Sequence, residues 1–140
     1  IRSAIDLNLT SHLLVAHSFV PHLKRQGCGD VVFIGSEAAL QGRRQGVVYC
    51  AAKFGLRGAA QALREECSRQ GVRVSIIHPG MVRSSFFDDL HFSPGDKRDE
   101  AIEVNDVVDA IMSVLNARPG TVIDEISLSP QKKVIVHSGS

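Results

Sequence analysis

Two rhythms of apolar and polar positions alternate along the chain. Ile1, Ala4, Ile5, Leu9, Leu13, Ala16, Val20 and Leu23 recur in steps of three and four, which predicts an amphipathic helix over residues 1–26. Pro21 lies inside it; proline lacks one helical N–H and crowds the preceding turn, so a kink or a new helical start is expected there. Gly27-Cys28-Gly29-Asp30 ends the helix and leads into Val31-Val32-Phe33-Ile34, an apolar run of the kind buried on both faces and expected as a central parallel strand. A polar loop from Glu37 to Gly46 follows, then a second helix over about Val47 to Gln70 with Ala52, Leu56, Ala59, Leu63 and Cys67 facing inward and Gly71 as its stop. Gly55 and Gly58 inside it cost roughly 1 kcal/mol each against alanine, which leaves two readings open: a closely approaching backbone, or tolerated surface glycines.

Val72-Arg73-Val74-Ser75-Ile76-Ile77 reads as the second strand, closed by His78-Pro79-Gly80. Residues 81–103 form a long polar segment carrying Phe86, Phe87 and Phe92 and the turn signal Ser93-Pro94-Gly95-Asp96. A loop of this length in a compact domain is more often functional than idle, and it is expected to form a substrate lid with an apolar pocket. Asn105 is expected to cap a third helix to about Asn116, with Val108, Ile111, Met112 and Leu115 inward, and Arg118-Pro119-Gly120 to break it before a last strand over Thr121 to Leu128. This order implies right-handed crossovers and an α/β fold with a parallel sheet. The tail 131–140 contains a strand-like Val134-Ile135-Val136 and a polar end expected to be loose.

The chain's 140 residues suit one domain with a real core. Sixteen Lys and Arg against fifteen Asp and Glu give a net charge of +1, which favours neither nucleic acid nor an electrostatic membrane tether. Cys28, Cys50 and Cys67 are an odd set without Cys-x-x-Cys spacing, so neither a disulfide framework nor a zinc site is expected, and a reducing cytoplasm fits best. No apolar run nears the ~18 residues of a membrane span. Because the chain starts at Ile1, directly in helix-like sequence, a fragment or processed product is expected.

Tyr49 and Lys53 lie one helical turn apart, which puts a phenol and an ammonium on one helix face. An unperturbed phenol titrates near ~10, and a neighbouring cation favours the phenolate, making it a usable acid and base near neutrality. Ser36, ending its strand, could hydrogen-bond the same substrate oxygen and steady its developing charge. Together with Pro79-Gly80 these residues would converge at the carboxyl ends of the strands, where open α/β sheets bind ligands. Carbonyl reduction or alcohol oxidation suits such a pair of donors, and since no side chain supplies a hydride, a nicotinamide cofactor is implied. A hydrolase triad of Ser36, His78 and Asp30 is disfavoured because the residue two after Ser36 is Ala38 rather than the glycine of a nucleophile elbow. His12, His17 and His22 step by five around a helix and read as surface residues, not metal ligands. Cys50 reads as a small buried packing residue rather than an oxidation-sensitive thiol.

Tyr49-Cys50-Ala51-Ala52-Lys53, with Ser36 thirteen positions upstream, resembles the Tyr-x-x-x-Lys signature of the short-chain dehydrogenase/reductase family. The resemblance covers roughly residues 1–130 and implies the carboxyl-terminal half of a Rossmann-like, doubly wound parallel sheet with three main strands. It implies Tyr49 as acid/base, Ser36 as carbonyl anchor, Lys53 as modulator of the phenol and ribose ligand, and Asn8, in Asp6-Leu7-Asn8-Leu9, as support for a water relay through a bent helix. Pro79-Gly80-Met81-Val82-Arg83-Ser84 echoes the family's Pro-Gly-x-Val-x-Thr, with Ser84 in place of the threonine that contacts the nicotinamide carboxamide; Tyr49, Lys53, Pro79, Gly80, Val82 and Ser84 are then the cofactor-binding set. The cofactor is NADP or NAD, with Asp124-Glu125-Ile126-Ser127-Leu128-Ser129-Pro130 leaning towards NADP, and the substrate a small secondary alcohol or ketone. Helices 1–26 and 47–70 would build a homo-oligomer interface.

The family's Gly-rich dinucleotide turn is absent: Gly27-Cys28-Gly29 follows a helix and precedes a strand, the reverse of that fingerprint. A three-strand half-sheet leaves the edge of Val31–Ile34 unpaired. This piece alone is therefore expected to be weak or inert, a reading that micromolar binding of NADPH to the isolated chain would overturn. The competing class is a non-catalytic remnant or interaction module lacking cofactor binding.

Overall fold

A computed structural model describes residues 1–138 of the chain. Helix α1 (Arg2–Ile5) passes through a π-helical turn (Asp6–Thr10) into α2 (Ser11–Gln26), which Gly27 ends in the left-handed conformation. Strand β1 (Gly29–Ile34), helix α3 (Val47–Cys67), strand β2 (Val72–Pro79), strand β3 (Phe92–Pro94), helix α4 (Val104–Leu115), and strands β4 (Glu125–Leu128) and β5 (Ile135–His137) follow. The main sheet has the order β1-β2-β4 and is parallel throughout, with Phe33 beside Ile76 and Ile77 beside Ile126.

Period-two alternation in β2 sorts its side chains between two layers. Val72, Val74 and Ile76 join Val20, Phe33, Leu56, Ala60 and Cys67 in one core beneath α2 and α3. Ser75 and Ile77 face the opposite layer, where Ala110 and Val114 of α4 are buried. Helices thus cover both faces, and the fold is the expected α/β doubly wound half-sheet.

Several expectations need correction. α2 runs straight through Pro21: both Pro21 and His17 are exposed, so the one missing helical bond falls on the solvated side. The irregular turn lies instead at Asp6–Thr10. The central strand is β2; β1 pairs on one side only, and its free edge borders an open apolar groove of about 570 Å³ lined by Val15, Phe19, Val31 and Phe33. In α3 the buried residue is Ala60 rather than Ala59. The two glycines of α3 divide between the two readings: a Cβ on Gly55 would stand 3.0 Å from Leu9 Cδ2, whereas Gly58 faces open space. α4 is capped by Glu103, whose N–H donates to Asp106 Oδ2 at 2.8 Å, not by Asn105. Its buried residues are Ala110 and Val114, while Val108, Met112 and Leu115 remain exposed. The last strand is shorter than expected, Glu125–Leu128.

The strand-like tail forms β5, which pairs antiparallel with β3 inside the 81–103 segment. Ser138 N–H donates to the His91 carbonyl at 2.9 Å; residues 139 and 140 of the polar end lie outside the described residues. No described helix is long and apolar enough to cross a membrane.

Candidate active site

Tyr49 stands in the first turn of α3 and Lys53 one turn on, with Lys53 Nζ 5.7 Å from the centre of the Tyr49 ring. Lys53 is only 7% exposed, and burial pushes its pKa down from the ordinary lysine value. Among the described residues it meets no carboxylate within ion-pairing reach. A cation withdrawn from water without a counter-charge costs stability, and that cost concentrates at functional sites.

Ser36 leaves the carboxyl end of β1 through Gly35, whose N–H donates to the Ile77 carbonyl at 2.6 Å. It caps the short 3-10 turn Glu37–Ala39, accepting the Ala38 N–H at 3.1 Å through Oγ. One lone pair is used and the hydroxyl proton stays free to donate outward. The turn packs against α3, so the serine and the phenol sit at the same end of the sheet.

Asn8 lies in the π turn, where its Nδ2 donates to the Ala4 carbonyl at 2.9 Å. A π turn shifts hydrogen bonds to i→i+5 and widens the helix, and the Asn8 amide bonds back across one turn of it. Leu9, the next residue, reaches Gly55 of α3, which brings the widened turn beside the turn of helix that carries Lys53.

Pro79 ends β2, and Gly80 N–H donates to the Leu128 carbonyl at 2.7 Å. A Cβ on Gly80 would stand 3.1 Å from Pro130 Cδ, 3.3 Å from Leu128 O and 3.4 Å from Glu37 Oε2, so the chain passes closely between the Ser36 turn and the tail and a side chain there would make these neighbours give by a few tenths of an ångström. Val82 makes an isolated parallel bridge with Ile102. Ser84, exposed, caps the turn Ser85–Phe87 by accepting the Phe86 N–H at 3.3 Å, which again leaves its hydroxyl proton free. A cavity of about 1040 Å³ lies elsewhere, between α4, Ser127–Gln131 and Lys97–Ile102, and contains none of these side chains.

A network missing from the sequence reading underlies the site. His78, 1% exposed, shares a 2.9 Å contact between Nε2 and Glu125 Oε1. Arg57 forks onto the same carboxylate, Nε to Oε1 at 2.7 Å and Nη2 to Oε2 at 3.0 Å. The Arg57 hydrogen bonds, reinforced by His78 and opposed by burial, hold the Glu125 carboxyl down at about 2. Arg57 is one helical turn beyond Lys53, His78 immediately precedes Pro79, and Gly35 presses on the His78 ring 2.6 Å from where its Cβ would be. The only hint in sequence was polar residues within apolar strands. These contacts also exclude the Ser36–His78–Asp30 triad, because His78 Nε2 is committed to Glu125 and Asp30 to Arg73 at the opposite end of the sheet. His12 corrects another expectation: it is half-buried, and burial together with the Lys53 charge pushes its pKa down, whereas His17 and His22 are exposed.

Comparison with known proteins agrees with this fold. The sequence is 27% identical over 126 residues to an uncharacterized oxidoreductase of Staphylococcus epidermidis, covering 90% of this chain and 53% of that protein. It is 34% identical over 94 residues to human 17-beta-hydroxysteroid dehydrogenase type 1, covering 67% of this chain and 29% of the relative. The chain therefore spans about half or less of the curated relatives it matches. An alcohol dehydrogenase from the archaeon Thermococcus sibiricus, solved with 5-hydroxy-NADP, has the same fold, with a TM-score of 0.79 at 20% identity over 93% of this chain and 54% of that one. The family described as short chain dehydrogenase matches residues 1–92, the stretch holding Asn8, Ser36, Tyr49, Lys53 and Pro79-Gly80, and the chain belongs to that family.

Proposed function

We propose that this chain carries the proton-transfer half of an NAD(P)-dependent oxidoreductase that interconverts a secondary alcohol and a ketone. The observation that carries the reading is the buried Lys53 ammonium 5.7 Å from the centre of the Tyr49 ring, with no carboxylate in ion-pairing reach among the described residues, on a helix that packs against the turn capped by Ser36. The name of the human relative, a hydroxysteroid dehydrogenase, supports the substrate class.

The residues fit the nicotinamide end of a dinucleotide. Lys53 offers a buried cation for ribose hydroxyls, Pro79, Gly80 and Val82 lie on the stretch leaving the carboxyl end of β2, and Ser84 offers a free hydroxyl proton. Such a cofactor, when bound, supplies or accepts the hydride. In the reducing direction the Ser36 hydroxyl donates to the ketone oxygen and Tyr49 delivers its phenolic proton to that oxygen as negative charge builds there. The Lys53 charge stabilises the phenolate left behind, and Asn8, in the π turn that meets the helix of Lys53, supports the water relay that returns the proton. NADP is favoured over NAD by the resemblance of the Asp124–Pro130 ending alone. The same reading includes a cytoplasmic homo-oligomer joined through α2 and α3, whose exposed Leu14, Val15, Phe19 and Val47 await cover.

The test is turnover of the full-length protein with NADPH and NADH on a panel of cyclic and aromatic ketones, alongside Ser36→Ala. Loss of one catalytic hydrogen bond should lower kcat by about 10²–10³ with little change in cofactor affinity. An Ser36→Ala variant turning over at the parent rate would defeat the assignment.

A further inference from the structure

The tail beyond β4 touches three of the segments that border the proposed reaction site: the Gly80 turn, the 81–103 segment and the turn that follows Ser36. Pro130 packs on Gly80, 3.1 Å from the position a Cβ would take. Lys132 is bound twice to Asp99 of the 81–103 segment, its N–H to the carbonyl at 2.8 Å and its Nζ to Oδ2 at 3.1 Å. Lys133 Nζ lies 4.0 Å from Glu37 Oε2, in the residue after Ser36. β5 then adds a strand to β3, setting Phe92 beside His137, Ser93 beside Val136 and Pro94 beside Ile135. An open cavity of about 420 Å³ sits at this corner, lined from one side by Ser84, Phe87 and Phe92 and from the other by Ser138.

We propose that residues 130–138 are a strap that ties the 81–103 lid to the Ser36 turn and thereby sets the width of the substrate mouth. The proposal rests on the oxidoreductase reading for what enters the mouth, but not for the strap itself. Few other contacts hold the lid. Its aromatic cluster, Phe86 against Phe87 at 5.1 Å and Phe87 against Phe92 at 5.8 Å, is internal, and Phe86 is 62% exposed. Val82 and Arg83 join the lid's start to Ile102 near its end, and Arg83 also reaches the Asp96 and Lys97 carbonyls, so these bonds too stay within the segment. The middle of the lid, residues 91–94, finds its β partner in the tail. A two-stranded ribbon this short is marginal on its own, so its formation depends on anchors beyond it, which Pro130 on Gly80 and Lys132 on Asp99 supply where the tail enters β5. With the strap in place the mouth is narrow and the phenylalanines are held over it; with the strap released the lid swings out and bulkier ketones gain access.

Hydrogen exchange of the full-length protein tests this without a known substrate. Ending the chain after Pro130 should speed exchange of amides 91–99 by about tenfold or more while amides 50–60 of α3 keep their protection. Lys132→Glu, which sets a carboxylate against Asp99, should speed the same amides severalfold, and adding Asp99→Lys should restore the parent rates. Should the shortened protein fail to fold, the charge-swap pair decides. Exchange at 91–99 within twofold of the parent in Lys132→Glu, or no restoration by the swap, overturns the strap. In turnover, the shortened protein should shift its kcat/KM ratio for a bulky over a small ketone upward by about fivefold, since one methylene-sized change in fit is worth 10-fold or more. An unchanged ratio with faster lid exchange overturns the mouth-setting role. No reduction of any ketone, with exchange altered as described, overturns the oxidoreductase reading and upholds the strap.

Discussion

Removing the Arg57 guanidinium should weaken the protein in a pH-dependent way that can be worked out from the Glu125 carboxylate. In the fold Glu125 titrates at about 2 against an ordinary 4.5, and the Arg57 hydrogen bonds are the largest cause. At ~1.4 kcal/mol per pH unit this difference corresponds to about 3 kcal/mol of preference for the ionised native carboxylate. The Glu125 side chain is 26% exposed and that of Arg57 32%, so solvent screening reduces the figure to about 1–2 kcal/mol. Arg57→Ala should forfeit most of it at pH 7. Because the unfolded carboxylate takes up its proton near 4.5 and the native one only near 2, the stabilisation is complete above 4.5 and drains away as the pH falls towards 2. Urea unfolding of parent and variant across that range should therefore show a stability gap that narrows with acid. A gap that stays constant from pH 7 to pH 2.5, or one smaller than about 0.3 kcal/mol at neutrality, would refute the reasoning.

Lys53→Met should leave the melting temperature at or above the parent's, because it replaces a desolvated cation with an apolar side chain of similar length, while abolishing turnover; a clear drop on thermal denaturation would show that the ammonium stabilises the fold instead. Gly71→Ala should cost about 2 kcal/mol or more in denaturant unfolding, since Gly71 sits at φ +80° and an added Cβ would collide with the Gly27 carbonyl; a loss below about 0.5 kcal/mol would mean the two turns separate freely.

How far the sequence could be read differs element by element. Where Tyr49, Lys53, Ser36 and Pro79-Gly80 lie in the fold was legible because spacing within a helix and the end of a strand are both local features. α4 was placed but rotated: opposite its polar face of Asn105, Asp106, Asp109 and Ser113 runs an apolar arc wide enough to hold both the buried pair Ala110 and Val114 and the exposed set Val108, Met112 and Leu115. Hydrophobic periodicity locates such an arc but not which part of it meets the sheet. The irregular turn fell at Asp6–Thr10 rather than at Pro21 because a π turn has no compositional mark beyond the asparagine that serves it, whereas a proline on the solvated side of a helix does little harm. Arg57 and His78 lie 68 and 47 residues from Glu125, and only the register of β2 against β4 brings the three together. The tail's partner was hidden for the same reason: Phe92-Ser93-Pro94 contains a proline and reads as a turn, and only an edge pairing with Ile135–His137 makes it a strand.

The central claim is that the Tyr49 phenol passes the proton to and from the substrate oxygen. Tyr49→Phe in the full-length protein removes that one oxygen and little else. With NADPH and a ketone the parent reduces, single-turnover oxidation of the cofactor should slow by at least about 10³ while NADPH binding stays within a few-fold of the parent. Cofactor oxidation at the parent rate in Tyr49→Phe would contradict the account.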